Sequence, residues 1–108
     1  MTDATGFHMR EEFELDGVLR LDLIGELDLP AADDFLVRVR QLRQGGYPVR
    51  VDLSQVTFID SAGLGALVGT LAGARRDGWD LTLDEEITDP VRRLIDFVGL
   101  TSYLWPAD

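Results

Sequence analysis

Apolar and polar residues alternate at the start of this chain. Phe7, Met9, Phe13 and Leu15 fall on alternate positions, and Leu19, Leu21 and Leu23 repeat the period after Asp16-Gly17. A period of two puts successive side chains on opposite faces of a strand, and Asp-Gly between two such runs marks a tight turn, so the segment predicts an antiparallel hairpin. The period then changes. After Gly25-Glu26-Leu27-Asp28, apolar residues recur at Ala32, Phe35, Leu36, Val39 and Leu42, the stripe of one helix face, with Asp28 suited to cap, Pro30 to the first turn and Gly45-Gly46 to the end. Val49, Val51 and Leu53 read as a strand. Leu64, Leu67, Val68 and Leu71 stripe a second helix from Ser61 to about Arg76, closed by Gly78, and Leu81 and Leu83 mark a further strand. Thr88-Asp89-Pro90 opens a third helix carrying Val91, Leu94, Ile95 and Val98 and stopped by Gly99, and Ser102-Tyr103-Leu104-Trp105 predicts a short last strand before Pro106.

What lies between the apolar strand positions decides the architecture. Arg20 and Asp22, Arg50 and Asp52, Asp80 and Thr82 alternate with them, so one face of the sheet is polar. Parallel strands covered on both faces read instead as unbroken apolar runs, which places the helices mainly on one side. The expected fold is a single small α/β domain over residues 1–108: an N-terminal antiparallel hairpin, then right-handed β-α units on a mixed sheet. In such a fold the loops at the strand C-terminal ends form the site, and both the Asp28 and the Asp60-Ser61 loops emerge there.

Composition narrows the partners. The 108 residues carry 20 acidic side chains against ten basic ones, all arginine, for a formal charge of −10. That balance opposes binding to a nucleic-acid backbone or an anionic membrane and favours a partner that is neutral or basic at the contact. With no cysteine, disulfides and thiol chemistry are excluded. Met1-Thr2-Asp3-Ala4-Thr5-Gly6 has no basic segment leading into an apolar run, and Ser61–Ala74 is too short for a bilayer span, so a cytoplasmic protein is expected. The uncovered polar face fits a monomer.

The densest chemical signal is Phe58-Ile59-Asp60-Ser61-Ala62-Gly63-Leu64-Gly65. Asp60 and Ser61 stand where capping side chains belong, and capping alone accounts for such a pair in most proteins. Three small residues, Ala62, Gly63 and Gly65, nevertheless crowd the first turn, although glycine costs about 1 kcal/mol inside a helix. Either the helix packs closely on its own sheet through Gly65, Gly69 and Gly73, or a partner backbone approaches the first turn. A phosphate on Ser61 would meet free N–H groups and the positive end of the helix dipole.

Taken in order, Gly25-Glu26-Leu27-Asp28, then Val51 to Gly65, then Asp89-Pro90-Val91 to Val98-Gly99-Leu100 resemble the STAS domain family, specifically its anti-sigma factor antagonists, over about residues 7–105. The resemblance implies that the motif serine, Ser61, is phosphorylated by an anti-sigma factor that is itself a serine kinase. The unphosphorylated antagonist binds that kinase and frees a sigma factor, and a metal-dependent serine phosphatase resets the switch. By this analogy Asp28 and Asp60 flank Ser61; the expected partner contact is Glu26, Asp28, Asp60, Gly63, Leu64 and Gly65 around Ser61, with no catalytic residue and no cofactor. Asp28 has an equally ready role as a helix cap. Two departures stand out: the chain stops at Trp105-Pro106-Ala107-Asp108 where members often add a helix, and Asp89-Pro90 replaces a frequent Ser-Pro pair while keeping its capping chemistry. A second reading within the family is a non-switching binding module, either of a lipid-transport ATPase complex or of a signalling scaffold.

Other classes fit less well. A serine hydrolase needs a base beside Ser61, but the sole histidine is His8 and the motif is not a nucleophile elbow. A receiver domain and a phosphate-binding P-loop both need a lysine, and there is none. Asp33-Asp34 and Asp84-Glu85-Glu86 read as solvated charges rather than metal ligands.

Overall fold

A computed structural model describes residues 6–106; residues 1–5, read above for a leader segment, and 107–108 lie outside them. The predicted hairpin is β1 (Phe7–Phe13) and β2 (Leu19–Leu27). They pair antiparallel across a loop in which Asp16 accepts a bond from the Val18 N–H at 3.0 Å and Gly17 takes a φ of 85°. Helix α1 spans Leu29–Gln44, β3 Val49–Ile59, α2 Ser61–Asp77, β4 Leu81–Ile87 and α3 Asp89–Val98. The sheet order is β1-β2-β3-β4, with β2, β3 and β4 mutually parallel.

One face of the sheet carries the core. Phe35 of α1 and Leu67 and Leu71 of α2 line one small cavity with Val51, Leu81 and Leu83 of the strands, and Leu21, Leu23, Leu27 and Leu53 are fully buried. The other face is ionic. Asp22, the one buried charged side chain among the described residues, accepts from Arg20 Nε at 2.9 Å and from Arg10 Nε at 3.1 Å. Arg20 also pairs with Glu12 and Glu14, and Glu14 with Arg50. These carboxylates, Asp22 first, hold the Arg20 guanidinium charged by raising its pKa above the ordinary arginine value.

Two differences from the expected elements have clear causes. Strand β3 is longer than the run Val49–Leu53 because two bulges let it continue: it uses 11 residues beside the nine of β2. The register slips between Asp22 and Ile24 and again between Gly25 and Glu26. Its buried positions accordingly step from Val51 and Leu53 to Val56 and Ile59, three residues at a time. The expected last strand is instead a helical turn, α4 (Thr101–Leu104). Gly99 ends α3 at a φ of 76°, Leu104 turns into the core, and the Trp105 indole N–H donates to the Leu83 carbonyl at 2.8 Å, so a side chain satisfies the β4 edge where a strand would have. Arg75 holds the turn by donating to the Tyr103 carbonyl at 2.7 Å. Thr88 rather than Asp89 takes the N-cap position of α3, and its hydroxyl donates to the Val56 carbonyl at 2.7 Å instead of capping.

The tight helix–sheet contact falls at Gly63, not at Gly65, Gly69 or Gly73. A Cβ on Gly63 would stand 2.2 Å from the Leu27 carbonyl oxygen, whereas Gly65 and Gly69 have nothing within 4 Å. At Gly73 the neighbours are arginine side chains, Arg76 and Arg43.

Two stability experiments follow. Gly63→Ala must push α2 off the end of β2 and is expected to cost about 2–3 kcal/mol, while Gly65→Ala, filling open space in a helix, gains roughly 0.5–1 kcal/mol; urea unfolding of both variants separates the two roles. Asp22→Ala removes the buried carboxylate that Arg10 and Arg20 share on the open face, but Arg20 keeps Glu12 and Glu14 and Arg10 stays half in solvent, so the expected cost is about 1 kcal/mol, read as a lower urea midpoint at unchanged slope.

Candidate functional site

The site is built by the last rungs of two parallel strands. Leu27 of β2 pairs with Ile59 of β3 and both side chains are buried. One residue on, Asp28 and Asp60 leave the sheet together, and the Asp60 N–H points at the Leu27 carbonyl at 3.4 Å. Parallel neighbours lie roughly 4.8 Å apart, so the two turns expected at the strand C-terminal ends are adjacent. Each aspartate caps its helix. Asp28, extended at φ −97°, ψ −170°, accepts from the Ala31 N–H at 3.2 Å, and Asp60, at φ −116°, ψ −175°, accepts from the Gly63 N–H at 2.9 Å.

This division of labour leaves Ser61 outside the capping role. It is the first residue of α2, it is exposed, and its neighbour Asp60 performs the capping. The Leu64 N–H is bonded to the Asp60 carbonyl at 3.0 Å. With Gly63 and Leu64 thus served, the donors left in the first turn are the N–H groups of Ser61 and Ala62. An anion carried on the Ser61 hydroxyl would find them, and the helix dipole, within its own turn.

The remaining expected contact residues divide by depth. Glu26 and Gly65 are exposed at this end, and Asp28 and Asp60 are partly so. Gly63 and Leu64 are buried, Gly63 against Leu27 and Leu64 within the core, and they support the rim from beneath. The rim therefore consists of Glu26, Asp28, Asp60, Ser61 and Gly65, three of them acidic. The sequence reading passed over two exposed apolar residues here, Phe58 and Leu29. The broken spacing Leu53–Val56–Ile59 was the available signal for Phe58. His8 sits on β1 opposite Ile24. Among the described residues no three His, Asp or Glu side chains are grouped to hold a metal ion, and no helix is long and apolar enough to cross a membrane.

Comparison with known proteins bears on this geometry. A family model described as "Mlab, STAS domain" matches residues 12–105. The chain is 32% identical over 82 residues to the anti-sigma-B factor antagonist of Bacillus subtilis, covering 76% of this chain and 74% of that protein. In fold it is similar to an anti-sigma factor antagonist from Mycobacterium paratuberculosis, with a TM-score of 0.75 at 22% identity over 99% of this chain and 92% of that one. It is also similar to the Bacillus cell fate determinant SpoIIAA in its phosphorylated form, with a TM-score of 0.68 at 20% identity over 94% of this chain and 92% of that one. With a family match that spans nearly the whole described chain and a relative 32% identical over three quarters of it, the chain belongs to the STAS domain family.

Proposed function

We propose that this protein is an anti-sigma factor antagonist that binds a serine-kinase anti-sigma factor through its Asp28–Asp60–Ser61 end and is released when that kinase phosphorylates Ser61. The observation that carries the reading is the exposed Ser61 at the first position of α2 with the cap already supplied by Asp60. Its hydroxyl is accessible and can be modified at no cost to the helix end. The relationship to the Bacillus subtilis antagonist supports the partner class, and the phosphorylated SpoIIAA structure is a precedent for the modification on this fold. On this reading the chain is a substrate rather than a catalyst. The Ser61 oxygen takes the γ-phosphoryl group from ATP held by the kinase, ADP leaves, and a serine phosphatase later removes the group by hydrolysis.

The physics of release is local. Phosphorylation adds about −1.5 to −2 charges between Asp28 and Asp60 on a chain already at −10. The free N–H groups of the first turn stabilise the phosphate within the antagonist, so the fold stays intact. A partner surface complementary to an acidic rim with a neutral serine then faces added charge and its hydration shell.

The test uses Ser61→Ala and Ser61→Asp proteins as baits in native lysate, followed by binding measurements with the purified captured kinase. The alanine protein is expected to hold a kinase-type anti-sigma factor, and the aspartate protein to bind it at least about tenfold more weakly, near 1.4 kcal/mol. Equal binding by both would favour the non-switching module.

A further inference from the structure

The open face of the sheet is not uniform. Its first rows are filled by the ion pairs Arg10–Asp22, Arg20–Asp22, Arg20–Glu12 and Arg50–Glu14. The network ends at Asp22. Beyond it the register continues on the same face with Ile24 opposite Gln55 and Glu26 opposite Phe58. The second bulge creates this last row. It inserts Thr57 as an extra residue, which leaves both Thr57 and Phe58 turned outward while Ile59 returns to the core. Phe58 is consequently 47% exposed, one rung from the buried Leu27–Ile59 pair and three residues from Ser61. With no bulge at that point, position 58 would keep the alternation set by Val56 and fall on the buried side.

We infer that Phe58, with Ile24 one row before it on the neighbouring strand, is the apolar anchor of the interface that Ser61 switches, and that the partner meets it with a hydrophobic pocket rimmed by basic side chains. This inference rests on the proposed antagonist function. Continuity supports it, because the Phe58 row runs directly into the acidic rim of Glu26, Asp28 and Asp60. So does charge: that rim selects a basic surface and gives orientation, while a desolvated aromatic at the centre of a polar ring supplies most of the affinity in interfaces of this kind. The arrangement also explains how one phosphate suffices. Charge added at Ser61 keeps the partner's rim hydrated and holds its pocket away from Phe58.

The test places Phe58→Ser and Phe58→Leu in the Ser61→Ala protein and measures affinity for the kinase that the Ser61→Ala bait captures. Val37→Ser, which removes another half-exposed apolar side chain on α1, serves as control. Phe58→Ser is expected to weaken binding at least tenfold, Phe58→Leu less than threefold, and Val37→Ser not at all, with the thermal midpoint of the Phe58 variants unchanged because the ring is not in the core. Binding by Phe58→Ser equal to that of the parent overturns the anchor while leaving the switch intact. A fall in thermal midpoint that accounts for the lost binding also overturns it, by showing a structural role. If the Ser61→Ala bait captures no anti-sigma kinase, the functional reading fails and this inference with it.

Discussion

The contact of Gly63 with the end of β2 is the constraint on which the site depends. Without a side chain at position 63, the first turn of α2 settles against the Leu27 carbonyl, and the Asp60 N–H is brought toward the same oxygen. That approach sets Ser61 beside the Asp28 turn. A Cβ there would meet backbone, which cannot swing aside as a side chain can. The crowding of small residues in this turn thus serves the protein's own packing at Gly63 and leaves Gly65 facing open space.

Around this fixed point the fold separates two kinds of charge. On the open sheet face, arginines interleave with carboxylates and pair with them, so that even the buried Asp22 is satisfied. At the strand C-terminal ends Glu26, Asp28 and Asp60 stand together, and the last two are engaged in capping backbone N–H groups. The first arrangement stiffens the sheet without a second layer of helices. The second concentrates negative potential around the exposed Ser61.

Much of this was legible in the chain. The period of two in β1 and β2, the stripes of α1, α2 and α3, and the glycines that end them mark elements whose local preference and tertiary environment agree. The polar residues between Val49, Val51 and Leu53 announced an uncovered face. The site was legible in part: the spacing from each strand to Asp28 and to Asp60-Ser61 shows both turns and the stripe from Leu64 shows an inward face, but not that Asp60 alone caps α2, nor that Gly63 rather than Gly65 meets the sheet, since these depend on how the helix is seated on the sheet. The bulges of β3 broke the alternation, so a strand running to Ile59 looked complete at Leu53. In Ser102–Trp105 the aromatic content resembles a strand, yet the αL turn at Gly99 and the pull of Leu104 into the core make a helical turn. A short segment carries too little local preference to resist such contacts.

The most direct test of the account is to incubate the protein with its captured kinase and ATP and map the modified residue by mass spectrometry. The account predicts a single phosphoryl group on Ser61, absent from the Ser61→Ala protein, and loss of the complex as the group accumulates. Phosphorylation at another residue, or a fully phosphorylated Ser61 protein that still holds the kinase, would contradict it.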